Sequence, residues 1–255
     1  VSPKKDTPFI IPIFLPHLGC PHQCAFCNQT AITGVTPDII SPETLCVLIT
    51  EFLEYKKTHR RSVQVSFYGG NFLGLKKDYI RSLLDETTKF VKNKRVDSIR
   101  FSTRPDTINN THLDIIKDYP VSTIEIGVQS MNNQVLDMAR RGHTASDTEN
   151  ASALLREKNY EVGMQMMVGL PGDDETKSLF TAQKIASLSP DFVRIYPTLV
   201  LAHSRLAVWY RNGDYTPWSL SRCVSLVKKL YLFFKSKKIP VIRMGLQASE
   251  DLAKD

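Results

Sequence analysis

The chain has 255 residues, 42% hydrophobic and 23% charged, a globular composition that excludes a disordered or low-complexity protein. Lys plus Arg is 33 against 26 for Asp plus Glu, and this net +7 suits an anionic partner such as RNA or a phosphorylated substrate, although the charges are scattered. The longest apolar runs, such as residues 230–234, are far short of the roughly 18 residues a bilayer span needs. The polar opening Val1-Ser2-Pro3-Lys4-Lys5-Asp6 is not a signal peptide, so a soluble, cytoplasmic protein without a membrane partner is expected.

In chain order, β-rich apolar runs at 9–15, 63–68, 97–103, 122–128, 161–168 and 191–196 read as strands. Amphipathic stretches at 42–57, 76–92, 111–118, 132–138, 145–158 and 173–187 read as the helices between them, with Ser41 and Asp173 as capping residues. Repeated strand–helix alternation with near-continuous apolar strands predicts a parallel α/β sheet covered by helices. No G-x-G-x-x-G turn follows the first strand, which counts against a dinucleotide-binding sheet. Instead, special segments end nearly every strand: Gly19-Cys20, Gly69-Gly70-Asn71, Ser102-Thr103-Arg104-Pro105-Asp106, Gln129-Ser130, Gly169-Leu170-Pro171-Gly172 and Tyr196-Pro197-Thr198. A ring of such residues at one end of all strands is how a βα barrel builds an active site. Beyond a turn at Asn212-Gly213-Asp214, residues 219–238 predict a long helix with an apolar face of Leu220, Val224, Val227, Tyr231 and Phe234. Lys228, Lys229, Lys235, Lys237 and Lys238 read as its solvated face, and 240–244 as one more short strand. Residues 1–200 are expected to form the barrel, with a cysteine-bearing loop at 16–34, and 201–255 an extension packed on it.

Five cysteines, an odd and sparse set, argue against a secreted disulfide framework. Cys46 and Cys223 lie in helical, apolar surroundings and read as small buried hydrophobes. Cys20-Pro21-His22-Gln23-Cys24-Ala25-Phe26-Cys27 is different: it has the spacing C-x3-C-x2-C. Three thiolates on one short loop can hold three irons of a 4Fe–4S cluster and leave the fourth iron open to the amino and carboxylate groups of S-adenosylmethionine. A structural zinc site with His17 or His22 as fourth ligand is the alternative, but such sites usually draw on two close ligand pairs and no second pair is present. A redox disulfide leaves one of the three cysteines unexplained.

The motif resembles that of the radical S-adenosylmethionine (radical SAM) superfamily, and the resemblance covers essentially the whole chain. Within that superfamily the sequence is most similar to the radical domain of the Elongator catalytic subunit and its short bacterial relatives, and more distantly to oxygen-independent coproporphyrinogen oxidase. The similarity is carried by Pro16-His17-Leu18-Gly19-Cys20, Ser102-Thr103-Arg104-Pro105-Asp106, Gly127-Val128-Gln129-Ser130-Met131, Arg141-Gly142-His143, Met167-Val168-Gly169-Leu170-Pro171-Gly172 and Arg194-Ile195-Tyr196-Pro197-Thr198-Leu199-Val200.

The resemblance implies a partial, six-stranded parallel βα barrel of the TIM type, with a 4Fe–4S cluster on Cys20, Cys24 and Cys27. It also implies reductive cleavage of S-adenosylmethionine to methionine and a 5′-deoxyadenosyl radical that abstracts hydrogen from a substrate. Gly69, Gly70 and Asn71 stand where the family receives the methionine amino group, with Asn where the family has Glu-like chemistry. Gln129 matches a position near the ribose and carboxylate, and Arg141 one placed for the methionine carboxylate. Gln165 and Ser102 stand in for acidic family residues, and Phe14 for a Tyr near the cluster. Substrate contacts are expected near Tyr196, His203 and Arg205 and in the loop around Arg104. A flavodoxin- or ferredoxin-type electron donor and a tRNA or other anionic substrate are the partners implied. The Elongator subunit carries an acetyltransferase domain beyond its radical domain, and nothing after Met244 here could form one, so its carboxymethylation activity is not carried over. The opening Val1 and the short run past Gly245-Leu246-Gln247 lead us to expect a shortened form.

Overall fold

The computed structural model describes residues 8–35, 38–55 and 62–246. Its strands are β1 (Phe9–Leu15), β2 (Val63–Gly69), β3 (Ser98–Thr103), β4 (Val121–Gln129), β5 (Glu161–Val168), β6 (Phe192–Pro197) and β7 (Val241–Met244). All seven lie side by side in sequence order, each parallel to its neighbour, in a sheet curled into a half-barrel whose edges are β1 and β7. The helices are α1 (Gln29–Thr33), α2 (Pro42–Glu54), α3 (Lys77–Lys92), α4 (Asn110–Ile116), α5 (Asn133–Met138), α6 (Ala145–Glu157), α7 (Glu175–Ser187), α8 (Arg205–Asn212) and α9 (Leu220–Ser236). Among the described residues no helix is long and apolar enough to cross a membrane.

Strand alternation gives the sheet two unlike faces. Ile11, Ile13, Val63, Val65, Phe67, Ile99, Phe101, Ile124, Ile126, Val162, Met164, Val193 and Ile195 are buried in the apolar core that joins the sheet to its helices. Phe72 stacks between Phe67 and Phe101, with ring centroids 5.0 and 4.5 Å away. The intervening residues, among them Gln64, Tyr68, Arg100, Glu125, Gln165, Arg194 and Tyr196, line the lumen. The apolar face holds the fold together, and the polar face is left for chemistry.

The sheet has seven strands where six were expected, because residues 241–244 pair in parallel with β6 and so extend the sheet itself. The short helices α1 and α8 were not foreseen. Helix α9 packs through Cys223, Leu226, Leu230 and Phe234, whereas Leu220 and Val224 of the expected face are exposed. Both stripes fit a helical period, and the contacts of α9 with α7, β6 and β7 select between them. Cys223 is buried, as its surroundings suggested, and Cys46 is half-buried against the core. Ser41 caps α2 with Pro42 at its first position. Asp174, not Asp173, caps α7; the Asp173 carboxylate instead accepts from the Gly169 amide (2.8 Å) and Ser178 Oγ (2.7 Å). The expected helix end at Lys57 and the outer ends of both expected regions, 1–7 and 247–255, lie outside the described residues.

Candidate active site

The C-terminal ends of the strands meet around one cavity of about 1570 Å³, and its walls include Cys20, Cys24, Cys27, Gly69, Gly70, Ser102, Arg104, Gln129, Arg141, Gln165 and Tyr196. The cysteine loop is held against the loop after β2 by backbone contact that only glycine permits. A Cβ at Gly70 would come 2.0 Å from the Leu18 carbonyl oxygen, and one at Gly19 2.2 Å from that of Asn71. The Gly70 and Asn71 amides donate to the Leu15 and Leu18 carbonyls at 2.9 and 2.8 Å.

Asn71 itself does not reach the cavity. Its side chain is wholly buried and works as a bracket: Nδ2 donates to the Gly19 carbonyl (3.0 Å), and Oδ1 accepts from Thr103 Oγ1 (2.6 Å), the Arg104 amide (3.0 Å) and Thr107 Oγ1 (3.0 Å). Three loops, those after β1, β2 and β3, are tied together by one amide. That role accounts for an uncharged residue here, because a buried carboxylate could not donate to Gly19.

Burial pushes the Cys27 thiol up to about 12, with negative charge at Cys24 and Cys20 adding to the effect. Cys20 is raised by burial and by Cys24, while Arg141 and Arg104 oppose the shift. A metal guest bound by these thiols would displace their protons. Arg141 Nη1 donates to Cys24 Sγ at 3.2 Å and its Nη2 to the Gly127 carbonyl at 2.7 Å, leaving a buried Nε–H without a partner. Arg104 grips Asp106 through Nε and Nη2 at 2.9 and 2.7 Å and keeps a buried Nη1 unpartnered. These orphan donors beside the thiols fit an anionic ligand at this end of the lumen. Gln129 has a left-handed backbone (φ 65°) at a register shift in β4, and its Oε1 accepts from Gln165 Nε2 at 3.1 Å.

Both histidines of the zinc alternative are committed elsewhere. His17 Nε2 accepts from the Gln29 amide at 3.0 Å, and burial lowers its pKa, consistent with a neutral acceptor. His22 Nε2 lies 3.0 and 3.1 Å from the carbonyls of Arg140 and Arg141, packed where a side chain on Gly142 would stand. Among the described residues, no three Cys, His, Asp or Glu side chains converge to share one ion. Thiolates that each take a different iron of a cube stand farther apart than ligands of a single ion.

Two expected substrate residues stand apart from the cavity. His203 and Arg205 are exposed and absent from its walls, because Ser204 caps α8 and the helix turns Leu206, not Arg205, inward. Tyr196 does line it, and so do Phe14 and Ser102. Sequence reasoning missed a charged layer deeper in the lumen. Glu125 accepts from Arg100 Nε (2.6 Å), Arg194 Nη2 (3.1 Å) and Tyr68 Oη (3.2 Å), and its other oxygen lies 2.8 Å from Arg194 Nε. Arg194 also donates to Tyr68 Oη at 2.9 Å and to Tyr196 Oη at 3.1 Å, so the layer fixes both phenols. Lone charges inside otherwise apolar strands were its only signal.

With this geometry in hand, similarity to known proteins decides the family. Residues 14–180 match the Radical SAM superfamily, and residues 190–254 match the Radical_SAM C-terminal domain. The chain belongs to the radical SAM superfamily. It is therefore an enzyme of the radical SAM class, a class that in general uses a 4Fe–4S cluster and SAM. Over 244 residues it is 28% identical to a tRNA uridine(34) acetyltransferase of Dehalococcoides mccartyi, covering 82% of this chain and 53% of that relative. Elongator complex protein 3 of Saccharomyces cerevisiae is 30% identical over 189 residues, 66% of this chain and 34% of that one. The chain thus spans about half the length, or less, of these radical SAM relatives. Two solved structures share the fold: Elp3 of Methanocaldococcus infernus with an N-terminal deletion (TM-score 0.66, 17% identity, 92% of this chain and 64% of that one) and coproporphyrinogen III oxidase of Escherichia coli (0.64, 18%, 92% and 54%).

Proposed function

We propose that Cys20, Cys24 and Cys27 hold a 4Fe–4S cluster at the mouth of the barrel and that SAM binds beside it, among Gly69, Gly70, Ser102, Gln129, Arg141 and Gln165. The observation that carries this reading is the meeting of three thiols with Arg141 on one cavity wall, where Arg141 Nη1 already contacts Cys24 Sγ at 3.2 Å. When bound, the cluster and SAM together supply one-electron reductive cleavage and a carbon-centred oxidant for hydrogen abstraction. The chain's own residues do the positioning. The guanidinium of Arg141 offers its free Nε–H to the SAM carboxylate. Gln129 and Gln165, bonded to each other, present their remaining amide groups to ribose hydroxyls. Asn71 contributes by holding the loops in register. Tyr196 and Tyr68, fixed by Arg194, face the substrate, and Phe14 supplies an apolar wall that excludes water. A flavodoxin- or ferredoxin-type protein delivers the electron.

A second reading concerns the substrate: tRNA. It is favoured by the tRNA uridine acetyltransferases among the relatives and by the net +7 charge. Acetyl transfer is not part of this proposal, since the matched region spans 53% of the first of those relatives. Anaerobic reconstitution with iron and sulfide tests the first reading. A broad charge-transfer absorption lost in Cys24→Ala, with 5′-deoxyadenosine formed from SAM under dithionite, is the expected result. A colourless protein holding one zinc per chain would overturn it. Salt-sensitive binding of tRNA by the reconstituted protein tests the second, and affinity that does not fall between 50 and 200 mM salt (about 10³-fold or more is expected for six or more phosphate contacts) removes it.

A further inference from the structure

The segment after β6 touches the lumen's rim at two separated places. At its start, Asn28 Nδ2, one residue beyond Cys27, donates to the Ala202 carbonyl at 2.7 Å. The Leu206 amide, in the first turn of α8, donates to the Ala25 carbonyl at 2.7 Å, so an N–H that no helix can satisfy internally is spent on the cysteine loop. Helix α8 then runs to Gly213, whose left-handed backbone (φ 81°) ends it. Tyr215, tied back to the helix by its amide on the Trp209 carbonyl (3.3 Å), donates its phenol to the Gly169 carbonyl at 2.6 Å. Gly169 opens the loop after β5 with φ 79°, and Trp218 covers it so closely that a Cβ there would lie 3.3 Å from the indole. Arg222 lies over that indole, 4.0 Å from a ring centroid.

One continuous segment therefore contacts the loop that bears Cys24 and Cys27 with one end and the loop after β5 with the other. A small apolar cluster also joins the cysteine loop to the end of β5: Phe26 and Tyr196 pack against the group formed by Val135, Ala139, Met167 and Leu170. We propose that residues 201–218 are a spacer that sets the distance between the cysteine loop and the β5 loop, with Asn28 and Tyr215 as its positioning residues. The inference takes Cys24 and Cys27 as cluster ligands and to that extent rests on the reading above. Its consequence is that the gap in which SAM must fit is set from outside the lumen, by hydrogen bonds that touch neither cofactor. Tyr215 suits this work because burial, with Cys223 and Asp173 adding, pushes its phenol up to about 12, so it stays a donor across the working pH range.

Two minimal variants test the spacer. Tyr215→Phe removes one hydroxyl, and Asn28→Ser keeps a capping oxygen for Ala31 while withdrawing the amide that reaches Ala202. The first measurement is amide hydrogen exchange on the metal-free protein. In Tyr215→Phe, exchange at Leu206, Ala25 and Cys27 is expected to quicken on the order of tenfold. Quickening confined to residues 169–173 would overturn the spacer, since the far grip would then be independent of the near one. The second measurement uses reconstituted protein: both variants should keep the iron content of the wild type, weaken SAM binding roughly tenfold, and blunt the change that SAM induces in the paramagnetic resonance of the reduced cluster. Variants with wild-type SAM affinity and spectra would also overturn it. Should wild-type protein take up no cluster, the functional reading fails by itself, and the exchange experiment still decides whether the two grips are coupled.

Discussion

The lumen contains two groups of arginines, and Arg141 at the mouth is partnered unlike the pair deep in the barrel. Deep in the barrel, Arg100 and Arg194 converge from β3 and β6 on the single carboxylate of Glu125, and Tyr68 completes its shell. The Arg100 guanidinium also lies over the Phe192 ring, 4.5 Å from its centroid. At the mouth, Arg141 meets no carboxylate: its partners are a thiol sulfur and a backbone oxygen, and its Nε is buried without any. The deep layer pairs its charges internally and bridges strands across the lumen, although Arg100 Nη2 is buried without a hydrogen-bond partner. The mouth sets the unpartnered Nε–H of Arg141 beside three thiols on one cavity wall. A buried ion pair adds little net stability over well-packed apolar residues, so the deep layer is better explained as a fixed polar floor that orients Tyr68 and Tyr196 than as a stabilising device.

The contrast is broken most directly at the carboxylate. Glu125→Gln leaves two buried guanidinium groups facing a neutral amide, and stability should fall by about 3–5 kcal/mol, measured as a denaturant midpoint at constant slope. A loss below ~1 kcal/mol would mean that water already reaches this layer and that the floor is open. At the mouth the expected balance is reversed. Arg141→Lys retains the charge but loses the planar fork, and it should weaken SAM binding about tenfold to a hundredfold, or about 1.4–3 kcal/mol, while folding stability changes by less than ~1 kcal/mol. Calorimetric titration of reconstituted protein with SAM, set beside the same denaturant curves, reads both quantities. If Arg141→Lys unfolds the protein as readily as Glu125→Gln does, the two arginine sets are alike and the comparison fails.

A third test uses pH. His143, close to both mouth arginines, donates its Nε2–H to the Val128 carbonyl (3.2 Å) and is pushed down to about 2 by burial, with Arg141 and Arg104 adding. An imidazole with a native pKa below its unfolded value of about 6.5 binds fewer protons folded than unfolded. Its contribution is therefore complete above pH 6.5 and is lost progressively as pH falls toward 2. Between pH 7.5 and 5.0 the metal-free wild type should lose about 2 kcal/mol more than His143→Gln, at no more than about 1.4 kcal/mol per pH unit. Parallel stability curves for the two proteins would show that the ring charges freely in place.

What could be read from the sequence follows the range of the interactions involved. Strand positions and the Ser41 cap are local patterns, and each is where it was expected. The Gly19 and Gly70 requirements were visible as residues but not as a contact between two loops, because that contact joins positions about fifty residues apart. Asn71 looked like a departure from the family's pattern, and only the buried bonds to Gly19, Thr103, Arg104 and Thr107 give the substitution a reason. The floor was invisible for the same cause: Arg194 and Glu125 are 69 positions apart, and a single charge in a strand reads as ordinary alternation until the sheet curls. Helix α8, eight residues long, carries too little period to be seen, and with it went the means of recognising that His203 and Arg205 point away.

The smallest expected effect asks whether the floor is held by its ion pairs or by its phenol. Tyr68→Phe removes a hydroxyl that donates to Glu125 (3.2 Å) and accepts from Arg194 (2.9 Å), but it leaves Arg194 and Glu125 in direct contact. Burial and the Glu125 charge raise the Tyr68 pKa, so the hydroxyl is protonated at any pH where the protein is handled and the effect should not vary with pH. A loss of about 1 kcal/mol or less is expected, because Glu125 keeps its other donors and Arg194 keeps its pairing with that carboxylate. Paired with Glu125→Gln in a double-mutant cycle, the phenol's removal should cost almost nothing further, since its main partner is already neutral. A loss comparable to that of Glu125→Gln, persisting in the double variant, would make Tyr68 the centre of the floor and the arginines its supports.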